Sequence, residues 1–195
     1  MIEKLTSIEK LDRTELYNAI YSLYEMSNNV KVFRCNQDYS GNYDELYNAY
    51  ATLNTKECEQ GLADYFMDNV LLDTKKDVEH LYYVKMPVST YLKYEALKVL
   101  VNAELGQKSY VCDNAETEDF IVFDGAVVVL DVTKQGAVIG GSISTNPTDV
   151  DFALKLFNIL KSDASDYLKT IKPEANMANS IKRKIKELKQ NLNIK

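Results

Sequence analysis

Glu118-Asp119-Phe120-Ile121-Val122-Phe123-Asp124-Gly125 runs into Ala126-Val127-Val128-Val129-Leu130-Asp131-Val132, then Thr133-Lys134-Gln135-Gly136, then Ala137-Val138-Ile139-Gly140-Gly141-Ser142-Ile143-Ser144. No other stretch of the chain is as apolar or as rich in β-branched residues, which fit a pleated, half-buried surface. The pattern predicts three adjacent strands, Phe120 to Phe123, Ala126 to Val132 and Ala137 to Ser144. Asp124-Gly125 and Gly136 are residues that tolerate the positive φ of tight hairpin turns.

Outward from this meander the periodicity changes to that of helices. Leu16, Ala19, Ile20 and Leu23 share one helical face between about Asp12 and Met26, and Asp12 with Glu15 has capping-box spacing. A strand is expected from Val30 to Cys35, a helical pair over Tyr43–Leu53 and Lys56–Leu72, and a strand from His80 to Met86, stopped by Pro87. Ser89 to Leu105 reads as a helix with Leu92, Ala96, Val99, Leu100 and Ala103 on one side and Gly106 just past its end. A short strand follows at Ser109 to Cys112. Asn146-Pro147-Thr148 opens another helix with Thr148 as its expected cap and Val150, Leu154, Phe157 and Leu160 as its buried side. Beyond Pro173, Ile181, Ile185, Leu188 and Leu192 form a narrow seam between basic faces, suited to docking or to a short coiled coil.

The expected architecture is α+β (α/β): a mixed or antiparallel central sheet with the meander in its C-terminal half, packed by about five to six helices. Residues 1–172 read as one domain and 173–195 as a basic amphipathic C-terminal helix.

The net charge of −6 is unevenly spread. From Ser180 on, six cations (Lys182, Arg183, Lys184, Lys186, Lys189, Lys195) face one acid, Glu187, a balance of +5, so the rest carries −6 − 5 = −11. An acidic body is a poor binder of phosphate backbones, which argues against direct nucleic-acid contact and for a protein partner. The basic helix is also a possible route to a homo-oligomer. No apolar run approaches the roughly 18 residues of a membrane span, and the start of the chain lacks a signal-peptide pattern, so a cytoplasmic protein is expected. Three unpatterned cysteines, Cys35, Cys58 and Cys112, argue against a disulfide framework or a zinc site.

Most familiar chemistries lack their residues. His80 is the one histidine, which excludes two-histidine mechanisms and three-histidine metal sites within one chain. There is no Gly-x-Ser-x-Gly elbow, and Gly140-Gly141-Ser142 lacks a phosphate-loop lysine. No cofactor is expected. Glu116, Glu118, Asp119 and Asp124 cluster near a turn, and Asp119 with Asp124 is the alternative pair for a divalent cation.

Val32-Phe33-Arg34 followed by Tyr39, the run from Tyr83 to Glu95, and Asp119 to Gly125, with the later Gly136 turn and Asn146-Pro147, together resemble an uncharacterised bacterial family known mainly from actinobacteria. Its members are similar to degenerate phospholipase D proteins, including ligand-sensing domains of winged-helix regulators, and often sit beside helix-turn-helix regulators. The resemblance implies a phospholipase D-like fold without the activity. The His-x-Lys-x4-Asp pattern, counted back from Asp124, meets Thr117 in the histidine slot and Asp119 in the lysine slot.

The expected function is therefore that of a non-enzymatic, protein-binding regulator or stoichiometric inhibitor from a phage or mobile element, acting on a host or defence complex. Expected contact residues are Arg34, Tyr39, Tyr91, Lys93, Tyr94 and Glu95, with Lys182, Arg183 and Lys186 on the tail. The alternatives are a metal-dependent phosphodiesterase or nuclease using Asp119 and Asp124, and a small-ligand sensor module of a transcriptional regulator.

Overall fold

The computed structural model describes Leu5 and residues 9–35, 76–84, 90–113, 117–133, 137–173 and 175–191. The expected helical pair at 43–72, Tyr39 and the Gly136 turn lie outside those residues. Within them are eight strands: β1 (Glu9–Asp12), β2 (Asn29–Arg34), β3 (Asp77–Tyr83), β4 (Lys108–Cys112), β5 (Phe120–Val122), β6 (Val127–Val132), β7 (Val138–Ser144) and β8 (Ser165–Asp166). The helices are α1 (Arg13–Met26), α2 (Thr90–Glu104), α3 (Pro147–Lys161), α4 (Tyr167–Thr170) and α5 (Ala175–Asn191).

The strands form one mixed sheet in the order β1-β7-β6-β5-β2-β3-β4-β8. β2, β3 and β4 run parallel, and every other neighbouring pair is antiparallel. The meander β5-β6-β7 forms where the sequence places it. Alternation along each strand sends side chains to two cores. On one face Phe33, Leu81, Phe120, Val127 and Val129 meet Ala153, Leu156 and Phe157 of α3, with Phe33 and Phe120 stacked at 5.3 Å between ring centroids. On the other, Val30, Val78, Phe123, Val128 and Leu130 meet Leu16 of α1, and Tyr82, Val84 and Val111 meet Leu92, Ala96 and Val99 of α2. Each of the buried Val, Leu and Phe side chains among these contributes about 1.5–3 kcal/mol.

Helix ends follow local chemistry. Asp12 and Glu15 complete the capping box, at 2.9 and 3.0 Å. At the other end of α1, the Lys76 ammonium donates to the last-turn carbonyls of Tyr24, Glu25 (3.1 Å) and Ser27 (2.7 Å), and lies over the Tyr24 ring. A cation there supplies donors to the exposed acceptors of a helix end and opposes the helix dipole. Lys76→Met keeps the aliphatic stem and loses this cap. It is expected to lower stability by about 1–2 kcal/mol in urea unfolding, and an unchanged midpoint would refute the capping role.

Several boundaries differ from the sequence reading. Asn146, not Thr148, caps α3, because Pro147 supplies a pre-set φ and no N–H at the first helical position; Asn146 accepts from Thr148 N at 3.0 Å. Ser144 Oγ donates to the buried Asp149 at 2.7 Å, which turns the helix so that Ala153, Leu156 and Phe157 are buried and Leu154 is exposed. In α2, Leu97 and Val101 are buried and Ala103 is exposed, so the apolar face is wider than expected and shifted. Gly125 does not use a positive φ; Gly106 does, at 86°. The seam of α5 packs within the chain against α2, with Ile181 and Ile185 fully buried and Lys189 bonded to the Glu104 carbonyl. A coiled coil through that seam, and the homo-oligomer it suggested, is therefore not available: its central residues are already covered.

At the N-terminal ends of the parallel strands a charge ladder crosses three strands. Lys31 contacts Asp77 and Glu79 at 3.2 Å each, Lys108 contacts Asp77 at 3.0 Å, and Lys161 contacts Glu79 while lying over the Tyr110 ring. Burial alone would raise the Glu79 pKa; the Lys161 and Lys31 ammoniums outweigh it and hold the carboxyl below its usual range.

Candidate functional site

Asp119 and Asp124 flank the three-residue strand β5. Because β5 is antiparallel to β2, they face opposite ends of β2. Asp119 meets the C-terminal end: its carboxylate accepts from Arg34 Nε at 2.9 Å and from Cys35 N at 2.7 Å, and it is fully buried. Asp124 meets the N-terminal end, where it accepts from Asn28 N at 2.7 Å and from the Asn29 side chain at 2.9 Å. Its modest burial favours the neutral acid, but these donors prevail and hold its pKa below the usual range. Five residues of extended chain place the two carboxylates roughly 16 Å apart. They cannot share a cation whose oxygen ligands lie at about 2.0–2.6 Å. The alternative metal pair is thus not brought together, and the described residues contain no cluster of three metal-ligating side chains.

The Asp119 end is the more elaborate. It lies where two parallel strands end, the usual place for a binding crevice in open α/β sheets. Cys35 Sγ donates to Thr117 O at 2.9 Å and lies 3.0 Å from Asp119 Oδ1. Burial first, then the adjacent carboxylate, push the Cys35 pKa far up, so the sulfur stays a thiol and is no nucleophile. Thr117 Oγ1 and Glu118 Oε2 are buried beside this knot and have no hydrogen-bond partner among the described residues. The Arg34 side chain is 26% exposed.

On the same sheet face, His80 sits in mid-strand, since β3 begins three residues earlier than expected. Its Nε2 lies 2.9 Å from Gln107 Oε1, an acceptor, so that ring nitrogen is the one that carries a proton. Burial lowers the His80 pKa; Gln107 and the Glu95 carboxylate oppose this without cancelling it, and Arg34 adds to it. The folded chain therefore resists a proton that the unfolded chain accepts below about 6.5. Stability is expected to fall as pH drops from 7 to 5.5, by at most about 1.4 kcal/mol per pH unit for one proton. His80→Asn should flatten that slope in urea titrations, and an equal slope in both proteins would refute the assignment.

The expected contact residues scatter. Arg34 is engaged with Asp119. Glu95 is buried, paired with Lys98 at 2.9 Å, and is not a surface contact. Its burial follows from the broad apolar face of α2, which covers the sheet up to Tyr167, whose hydroxyl donates to Leu92 O. Lys93 is exposed. Tyr39, and the side chains of Tyr91 and Tyr94, lie outside the described residues. Lys182, Arg183 and Lys186 stand together on the exposed side of α5. The residues missed are Tyr17 and Tyr21, 48% and 54% exposed, with the Arg13 guanidinium 5.8 Å from the Tyr17 ring centre. Arg13, Tyr17 and Tyr21 recur every four residues along the flank of the Leu16 stripe, a spacing that was legible.

Fold and site define a mixed α/β sheet protein with a buried acid–arginine pair at the C-terminal end of β2. Residues 26–170 match the family described as Domain of unknown function (DUF6879), and the chain belongs to that family. The family description names no enzymatic activity. Among solved structures the chain resembles NucT from Helicobacter pylori, at 10% identity and a TM-score of 0.48, over 82% of this chain and 97% of that one. It also resembles TrmBL2, an archaeal chromatin protein whose structure shows a novel mode of DNA binding, at 12% identity and a TM-score of 0.45, over 84% of this chain. It spans 55% of the chromatin protein's chain. None of the curated proteins matches. Among the described residues, no helix is long and apolar enough to cross a membrane.

The expectation that direct nucleic-acid binding is unlikely for the acidic body is corrected. A DNA-binding chromatin protein stands among its structural neighbours. The physical fault in the inference is that net charge averages over a surface and excludes no local patch of the opposite sign.

Proposed function

We propose that this chain is a non-catalytic binding protein on a phospholipase D-like fold, a stoichiometric regulator or inhibitor of a protein partner. The observation that carries the reading is the occupancy of the catalytic slots. Where that chemistry needs a histidine and a lysine, the chain has Thr117 and Asp119. Asp119 is spent on a fully buried pair with Arg34 and on the Cys35 amide. A buried, paired carboxylate neither attacks phosphorus nor protonates a leaving group. The phosphodiesterase alternative loses its metal pair to the separation of Asp119 from Asp124. Among the described residues, the Arg13–Tyr17–Tyr21 face of α1 is the best-exposed set of the residue types that anchor protein interfaces.

Two measurements test this. Purified protein should not turn over DNA, RNA or a chromogenic phosphodiester with Mg²⁺ or Mn²⁺; cleavage that co-elutes with the folded protein would overturn the non-catalytic reading. The partner captured from host lysate should bind with fixed stoichiometry, and Tyr17→Ala with Tyr21→Ala should weaken it by about 30-fold or more. Unchanged affinity would remove α1 from the interface.

A further inference from the structure

We propose that the outward face of α5 binds the phosphate backbone of a nucleic acid. The helix is held rigidly: Ile181 and Ile185 are fully buried, and Lys189 is tied to Glu104 by a bond to its carbonyl and an ion pair at 3.8 Å. Cations off the outward arc are already matched, Lys189 by Glu104 and Lys184 by Glu187 at 3.9 Å. Lys182, Arg183 and Lys186 are exposed, and no hydrogen bond or ion pair engages them among the described residues. Their spacing of one and four residues puts all three on one arc of about one helical turn.

The rest of that arc selects the ligand class. Among the described residues its other exposed members are Asn179, Gln190 and the small Ala175, with Glu187 at its edge. Asn179 and Gln190 add hydrogen-bond donors, and none of these is a large apolar anchor. A protein interface needs a buried aromatic or aliphatic centre, and a membrane-surface helix needs an apolar side to insert; this arc offers neither. A phosphate backbone asks only for charge and donors. The acidic remainder of the chain repels the same polyanion, which confines contact to α5 and keeps it salt-sensitive. This surface lies on a different helix from the Arg13–Tyr17–Tyr21 face, so either proposal can fail alone.

The test is fluorescence anisotropy with the full chain and labelled duplex DNA, single-stranded DNA and RNA, with polyglutamate as an acidic-protein control and anionic vesicles as a lipid control. With three phosphates neutralised, log K against log salt should have a slope near about −2.7 on duplex, roughly 40-fold between ~50 and ~200 mM salt. Lys182→Glu, Arg183→Glu and Lys186→Glu together should abolish binding at low salt while leaving the circular dichroism and melting temperature unchanged. Tyr17→Ala with Tyr21→Ala should leave nucleic-acid affinity intact. Undiminished binding by the triple variant, equal or tighter binding to polyglutamate or vesicles, or no binding at ~50 mM salt would each overturn the proposal.

Discussion

Asp119→Ala is expected to lower stability by more than about 3 kcal/mol, the largest single-site loss outside the apolar core. The carboxylate is fully buried and satisfies two donors of β2, Arg34 Nε and Cys35 N. Its removal takes the facing carboxylate from a guanidinium only 26% exposed, and the 2.7 Å acceptor from the Cys35 N–H. Both groups then lose part of what offsets their desolvation. Asp124→Ala provides the contrast: the same residue type, two positions beyond the other end of β5, in a more exposed setting where water replaces the lost acceptor. Its cost should be clearly smaller. Arg34→Met with Asp119→Leu should recover much of the loss, because deleting both charges costs less than deleting one. Urea unfolding of the four proteins settles the matter. If Asp119→Ala were no worse than Asp124→Ala, the buried pair would not be what ties β5 to the end of β2.

That pair also marks how far the sequence could be read. The meander was legible because β-branched runs and their turn residues are local signals, and so was the capping box of α1, whose two partners are three residues apart. Asp119 and Arg34 were each singled out, yet as a metal ligand and as a contact residue. Their bond joins positions 85 residues apart, and no local pattern encodes which strand β5 will pair with. Glu95 illustrates the same limit. A charged residue in an amphipathic helix reads as surface, but α2 lies between the sheet and α5 and has two sides to bury. The seam of α5 was visible as a docking surface, whereas its partner was not, because apolar spacing does not distinguish a second copy from the chain's own α2. The uneven charge was legible along the chain as a basic tail on an acidic body, but only the folded helix shows Lys182, Arg183 and Lys186 exposed on one side while Ile181 and Ile185 are buried.

Gly141→Ala should be the second severe substitution, and for a reason unrelated to backbone freedom. A Cβ at this position would lie 2.4 Å from the carbonyl oxygen of Val129 and 2.9 Å from Cδ1 of Leu16. The first contact is with the backbone of β6, so it cannot be relieved by a rotamer change. The second is with the fully buried side chain by which α1 is anchored. Relief requires β7 to move away from β6 or α1 to lift from the sheet. Overpacking of this kind costs about 1–3 kcal/mol, and a backbone clash places it at the upper end. Gly125→Ala is the matched control, because a Cβ there meets nothing within 4 Å and its φ is not positive. That variant should stay within about 0.5 kcal/mol of the parent. The Gly140-Gly141 pair thus lets α1 and β1 approach β7; Gly140 is tight too, though less so, with a Cβ there lying 2.9 Å from Leu11 O. Equal unfolding midpoints for Gly141→Ala and Gly125→Ala would show that the α1–sheet contact is looser than this packing requires.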